Sequence, residues 1–361
     1  MNKIKVLIVD DSAVTRKLLT DALSKSRDIE VVGTAMDPYI AVDKIKRLSP
    51  DILTLDIEMP RMDGLTFLSK LMISHPMPVI MVSALTDAGA NATIKALQAG
   101  AVDFVLKPNL DDQGAWERFS SEVIEKVITA SGSKVKRRPA AMNEDLAGIK
   151  VEEKFSADVI IPREAAQVSR VRTGIIVAIG ASTGGTEVIA QILSTLSPDV
   201  PGIVIVQHMP EKFTKAFADR VNGMSKVYVK EAEQGDRLYK GVALIAPGNR
   251  HMLLRSDSSG YWVEINDGPP VNRHRPSVDV IFRSVAQVAA GNAVGIILTG
   301  MGADGAAGLL EMREAGARTI AQDEASSVVF GMPREAIKLG AADHIKNIEG
   351  VIAYIEQLRS S

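Results

Sequence analysis

Across residues 1–130, short apolar runs alternate with stretches in which apolar side chains recur every three or four positions. The runs predict strands at Val6–Val9, Val31–Val32, Ile52–Leu55, Val79–Val82 and Val102–Leu106, since unbroken apolar runs suit strands covered on both faces. The spacing between them predicts helices near 13–25, 38–48, 64–73, 89–99 and 112–129. Five strand–helix units in succession predict an α/β domain with a doubly wound, five-stranded parallel sheet. Its working edge lies at the C-terminal ends of the strands.

The alternation stops over residues 131–172, which carry nine Lys/Arg against six Asp/Glu together with Pro139 and Pro162. This stretch reads as an interdomain linker. Its cluster Lys134-Val-Lys136-Arg137-Arg138 fits a solvated linker charge group or a nucleic-acid contact. From residue 173 the pattern resumes. Strands are predicted at Ile175–Ile179, Ile203–Gln207, Val242–Ile245, Val294–Leu298 and Arg318–Ala321. Met252–Leu254 and Trp262–Ile265, joined by Asp257-Ser-Ser-Gly260, read as a β-hairpin. The expected organisation is a domain over 1–130, a linker over 131–172, and a second, doubly wound and mostly parallel α/β domain over 173–361.

Composition narrows the chemistry. The chain has 361 residues, 46% hydrophobic and 24% charged, as expected of a globular protein with two cores. A formal net charge of −2 gives no whole-chain footprint for nucleic acid. There are no cysteines, which excludes disulfides, thiolate metal sites and a thiol nucleophile. No apolar run approaches the roughly 20 residues that span a bilayer. Asp10 and Asp11 interrupt the first apolar run too early for a signal peptide, so a cytoplasmic location without membrane insertion is expected.

Polar residues of the first domain gather at successive strand ends. Asp10 and Asp11 end the first strand, Asp56 the third, Ser83 the fourth and Lys107-Pro108 the fifth. Three carboxylates at one edge repel unless a cation joins them, and oxygen-only ligands suit Mg²⁺. Lys107 can supply a point charge to phosphate oxygens and Ser83 a hydroxyl. The stretches VLIVDDS, TLDIEMPRMDG, VSA and DFVLKP resemble those of response-regulator receiver domains, which have a flavodoxin-like fold. That resemblance implies a phospho-acceptor at Asp56, charged by a histidine kinase. It implies Mg²⁺ held by Asp10, Asp11, Asp56 and the Glu58 carbonyl, with Ser83, Lys107 and the aromatic Phe104 as switch residues. It also implies a cis bond at Lys107–Pro108.

In the second domain, Gly180-Ala-Ser182-Thr-Gly184-Gly185 lies between a predicted strand and a helix. It fits a nucleophile elbow, although a glycine-rich turn between strand and helix more often cradles a phosphate on its backbone N–H groups. His208 follows the next strand directly, and Asp304 lies in LTGMGADG just after another. Ser182, His208 and Asp304 therefore leave the same edge of one sheet. Together they form a nucleophile, a base and an orienting acid, with the Gly300-Met301-Gly302 turn as a source of oxyanion donors. Each also has a plainer reading as turn residue, edge histidine or helix cap.

The order Ser, His, Asp is not that of α/β-hydrolases. A dinucleotide site is disfavoured, because the second strand ends in Gln207-His208 where an acid for the ribose is expected. His75, His251, His274 and His344 show no metal-ligand spacing, so no metal is expected in this half.

The motifs IGASTGG, QHMP, RHRPSVDV (Arg273–Val280) and LTGMGADG, behind a receiver-like half, resemble the chemotaxis protein-glutamate methylesterase/glutaminase family from end to end. This resemblance implies a Ser182–His208–Asp304 triad with an oxyanion donor at the Met301 N–H and no cofactor for ester hydrolysis. The implied substrates are methyl-accepting chemotaxis receptors, and the phosphodonor is the chemotaxis histidine kinase.

Overall fold

The computed structural model of the protein describes residues 3–59, 62–84, 86–108, 114–133, 156–162 and 174–360. The basic cluster at 134–138 and most of the stretch read as a linker lie outside the described residues. The chain divides into two compact units, Met1–Ile149 and Lys150–Ser361.

The first unit alternates β1 (Ile4–Val9), α1 (Ala13–Leu23), β2 (Ile29–Ala35), α2 (Pro38–Leu48), β3 (Ile52–Asp56), α3 (Gly64–Ser74), β4 (Val79–Ser83), α4 (Asp87–Gln98), β5 (Asp103–Leu106) and α5 (Ala115–Ser131). The strands form one parallel sheet in the order β2-β1-β3-β4-β5. β3 and β4 are buried along their whole length, which is why they read as unbroken apolar runs. Polar caps start the helices where the strands end. The side chains of Ser12, Asp37, Asp63 and Thr86 accept from the backbone N–H groups of Thr15, Ile40, Thr66 and Gly89.

The second unit continues with β6 (Ile176–Ala181), α6 (Gly185–Thr195), β7 (Gly202–Gln207), α7 (Phe213–Met224), β8 (Tyr228–Glu231), β9 (Val242–Ile245), β10 (His251–Asp257) and β11 (Gly260–Asn266). α8 (Val278–Val288), β12 (Ala293–Ile297), α9 (Ala306–Glu314), β13 (Arg318–Gln322), α10 (Met332–Lys338), β14 (His344–Lys346) and α11 (Ile348–Gln357) complete it. Seven strands pair in the order β14-β13-β12-β6-β7-β9-β8, every pair parallel, and β10 and β11 form a separate antiparallel hairpin. From β6 the chain winds outward through β7, then returns to the other side of β6 at β12. The strand order therefore switches beside β6, where a parallel sheet opens a crevice at its C-terminal edge.

A short turn at Ala157–Val159 begins the described part of the second unit, inside the stretch read as a linker. Ala157 and Ile161 are buried with Leu253, Val271 and Val280. Arg283, from α8, donates to Asp158 Oδ1 at 2.7 Å and to the Ile161 carbonyl at 3.0 Å, and forks onto both Glu311 oxygens. Among the described residues the cis peptide bond is Arg275–Pro276, so the cis isomer implied at Lys107–Pro108 is not found there.

Candidate functional sites

At the C-terminal edge of the first sheet, ligand oxygens of Asp10, Asp11 and Asp56 lie within 4.8 Å of one another. Asp10 and Asp56 are buried and Asp11 is exposed, so the cluster opens to solvent on one side. Lys107, just past β5, reaches with Nζ to Asp56 Oδ2 at 2.8 Å and Asp10 Oδ2 at 3.2 Å. Asp10 Oδ1 accepts from the Ser12 N–H at 2.8 Å and Asp56 Oδ1 from the Ile57 N–H at 2.8 Å. Asp10 Oδ2 is buried and, beyond the ion pair, has no hydrogen bond among the described residues.

The electrostatics follow from this crowding. Burial, followed by the neighbouring Asp56 charge, pushes the Asp10 carboxyl up to about 6 despite Lys107. Burial of Lys107 opposes its charge, but Asp56 and Asp10 outweigh it and hold the ammonium above its ordinary value. A buried acid short of a partner, beside an open carboxylate cluster, is a donor set that a hard divalent cation satisfies.

Ser83 is buried beside this cluster, and its hydroxyl makes only long bonds, to the Ala84 and Gly89 carbonyls at 3.3 and 3.4 Å. The Lys107 N–H donates to the Ser83 carbonyl at 2.8 Å, which ties the two strand ends together. Phe104 lies buried on β5 with the Lys126 ammonium 5.0 Å from its ring centre. The Glu58 side chain is exposed two residues beyond the end of β3.

In the second unit, Ser182, His208 and Asp304 follow β6, β7 and β12, three neighbouring strands. The Ser182 N–H donates to the Thr299 carbonyl at 3.0 Å, and the His208 N–H to the Ala181 carbonyl at 3.1 Å. The turn after β6 needs glycine for steric reasons. Gly184 has φ +77° and a Cβ there would lie 2.5 Å from Val328 Cβ, while one at Gly185 would lie 2.3 Å from Gln207 Oε1. Gln207 closes the turn from below, its Nε2 donating to the Ser182 carbonyl at 2.9 Å.

His208 Nε2 and Asp304 Oδ2 are 2.8 Å apart, both side chains nearly buried. Asp304 is collected by several donors. Oδ1 accepts from Asn272 Nδ2 at 2.8 Å and Ser277 Oγ at 2.7 Å, and Oδ2 from the Val278 N–H at 2.7 Å. That last bond sets the carboxylate at the N-terminus of α8, where the helix dipole favours negative charge. Burial works against the charge, but the His208 bond and the surrounding donors hold the Asp304 carboxyl well below the usual carboxylate range. The cap reading is excluded, because Gly305 caps α9 without any side-chain bond.

The carboxylate is acceptor-only, so His208 carries its hydrogen on Nε2. Nδ1 is left as an acceptor, and it is buried with no hydrogen-bond partner among the described residues. The half-buried Met301 lies between Gly300, whose carbonyl accepts from the Gly331 and Met332 N–H groups, and Gly302 at φ +84°. A Cβ built on Gly300 would lie 2.8 Å from Ser182 Cβ, so this turn borders the serine.

Three neighbours of the site carry no signal in local spacing. Asn272 and Ser277 hold Asp304 from 32 and 27 residues away in the chain. The His274 ring stacks on His208 with centroids 3.7 Å apart and planes 9° from parallel. The quoted RHRPSVDV motif contains His274 and Ser277, but only the fold reveals what they touch.

These two sheets and their edges define a signalling receiver joined to a second α/β domain with a serine–histidine–aspartate edge. Residues 6–114 match the response regulator receiver domain family and residues 177–355 the CheB methylesterase family. A protein-glutamate methylesterase/protein-glutamine glutaminase of Geobacter metallireducens is 55% identical over 342 residues, 95% of this chain and 92% of its own. One from Xanthomonas oryzae pv. oryzae is 54% identical over 338 residues, 94% of this chain and 96% of its own. The crystal structure of the Thermotoga maritima CheB methylesterase catalytic domain covers 52% of this chain and 99% of its own, at 36% identity and a TM-score of 0.50. The chain belongs to the protein-glutamate methylesterase/protein-glutamine glutaminase family. Among the described residues, no helix is long and apolar enough to cross a membrane.

Proposed function

We propose that this protein is a response regulator whose output is the hydrolysis of glutamate γ-methyl esters on chemotaxis receptors, by a Ser182–His208–Asp304 triad. The Nδ1 of His208, without a partner among the described residues, carries this reading: with Nε2–H held by Asp304, the remaining lone pair is the one left to take a proton. Ser182 Oγ attacks the ester carbonyl as its proton passes to His208 Nδ1. The N–H of Met301 stabilises the oxyanion. Methanol leaves with the proton from His208, and water, activated by the same nitrogen, releases the glutamate carboxylate and regenerates Ser182. A glutamine side chain follows the same course with ammonia as leaving group. No cofactor is required for either.

Asp56 is the phospho-acceptor, charged by the chemotaxis histidine kinase. Asp10, Asp11, Asp56 and the Glu58 carbonyl would hold Mg²⁺, which when bound would neutralise charge on the incoming phosphoryl group. Lys107 then shifts its ion pair from Asp56 to the phosphoryl oxygens, Ser83 bonds to another, and Phe104 responds to the Ser83 movement. Demethylation restores a receptor carboxylate and lowers the output that phosphorylates Asp56, which closes a feedback loop.

The test is methanol release from methylated receptor membranes, with and without a small-molecule phosphodonor. Ser182→Ala should reduce release to the residual that oxyanion and binding contacts supply, at most about 10³–10⁴ over water. It should also abolish labelling by a serine-directed fluorophosphonate. Wild-type release from the purified variant would remove Ser182 from the chemistry, and absence of labelling in the wild type would favour a non-catalytic output domain.

A further inference from the structure

Between β11 and α8 the chain makes a turn that ordinary residues avoid. Val271 and His274 bond each other reciprocally, N–H to carbonyl, at 3.0 and 2.8 Å. The two residues between them are both left-handed, Asn272 at φ 51° and Arg273 at φ 70°. Positive φ at both central positions is the type I′ pattern, which glycine and asparagine adopt readily and arginine does not. Two other non-glycine residues with positive φ, Lys212 and Asn249, lie in adjoining loops. A Cβ on Gly248 would meet the Pro210–Glu211 backbone, and the Asn249 N–H donates to the Arg275 carbonyl at 3.1 Å. Unfavourable backbone conformation concentrated in one place persists where the surroundings enforce it, and points to what the loop delivers.

This turn delivers two side chains to the His208–Asp304 pair. Asn272 Nδ2 donates to Asp304 Oδ1 at 2.8 Å and to Asp279 Oδ2 at 2.6 Å. His274 covers one face of the His208 ring at 3.7 Å. Val271 anchors the turn from beneath, fully buried against Ala157, Ile161 and Val280. A single hydrogen bond from Nε2 to Asp304 fixes one end of the imidazole but lets the ring swing about that axis. A face-to-face stack removes that freedom, because any swing breaks the parallel contact.

We propose that His274 is a positioning residue for ester hydrolysis: its ring, held by the Val271–His274 turn, locks the plane of His208 so that Nδ1 stays available to Ser182. The inference rests on the triad reading above. In this role His274 acts through the shape of its ring. Losing the stack misplaces the base without touching the substrate, so the effect falls on turnover and not on binding.

The experiment compares His274→Ala, His274→Phe and Ser182→Ala in the full-length protein, measuring kcat and KM for methanol release and the rate of fluorophosphonate labelling. His274→Ala should lower kcat and the labelling rate by about 10- to 100-fold with KM nearly unchanged, the size expected of a misplaced catalytic group. His274→Phe keeps a flat ring and should recover most of both rates. Wild-type kcat in His274→Ala would overturn the proposal. So would a Phe variant as slow as the Ala variant while melting at the wild-type temperature, since that outcome assigns His274 a role in proton transfer or charge. If Ser182→Ala itself retains activity, the triad reading fails; if it is inactive while His274→Ala is unimpaired, only the positioning role fails.

Discussion

At Asp10, membership of an open carboxylate cluster and stability pull in opposite directions. Its carboxyl is pushed from the ordinary 3.8 up to about 6 by burial and by Asp56. A carboxyl whose folded-state pKa is raised binds its proton more tightly in the folded state, so stability is lost as pH rises from about 4 to about 6. Asp10→Asn should therefore stabilise the receiver relative to wild type, with a gap that opens across this window to roughly 2–3 kcal/mol at pH 7.5. Saturating Mg²⁺ should raise the wild-type melting temperature at pH 7.5, narrow the gap, and do less at pH 5, where the proton competes; EDTA should restore it. A gap that is flat with pH would assign the Asp10 site no such conflict. The same residue-level view shows what sequence can and cannot display. Asp10, Asp56, Ser182 and His208 are legible because each sits at or just past the end of an apolar run, and Asp304 because it lies in the glycine-rich turn that follows one. Asn272 and His274 belong to a turn whose partners are contributed by β7 and the loop after β12, and no local spacing encodes that meeting.

Among elements, legibility tracked burial. β3, β4, β6, β7 and β12 are buried throughout and were predicted to within a residue or two. β8 and β14 leave no apolar run in the sequence. They are the two edge strands of the second sheet; Val229 is the buried residue of β8 and no residue of β14 is buried, so lysine, glutamate and histidine replace the apolar run. The apolar run predicts only Val31–Val32 of β2, which extends over Ile29–Ala35, because Glu30, Gly33 and Thr34 interrupt its apolar character. The joint between β6 and α6 is the element on which the serine depends most. Its Gly184 combines φ +77° with Val328 only 2.5 Å from where a Cβ would lie. Gly184→Ala meets a left-handed penalty of about 1–2 kcal/mol and overpacking of about 1–3 kcal/mol. The variant should lose about 3 kcal/mol in denaturant unfolding of the second unit and label more slowly with fluorophosphonate. Unchanged stability would mean the turn can relax away from Val328, and that its glycine is not sterically required.

On the scale of the whole chain, the boundary of the second unit has a consequence for how it can be cut. The family match begins at residue 177, yet residues 156–162 already belong to the second unit's core. Ala157 and Ile161 cover Val271 and Val280, and Arg283, with its side chain 7% exposed, is paired by Asp158 and Glu311 together. A chain beginning at Gly174 strips this cover. It exposes apolar surface beneath the turn that carries Asn272 and His274, and it leaves Arg283 with Glu311 alone. A chain beginning at Lys150 keeps all of it. The longer piece should therefore melt as a single cooperative unit, label with fluorophosphonate, release methanol, and show no response to phosphodonor, since Asp56 is gone. The shorter one should melt several degrees lower, as a loss of about 2 kcal/mol shifts a domain of this size, and its kcat should fall with its stability because Val271 anchors the turn. Equal melting temperatures and equal kcat for the two pieces would show that residues 156–162 are dispensable to the site. A Lys150 piece that still responded to phosphodonor would place a phospho-acceptor outside the receiver.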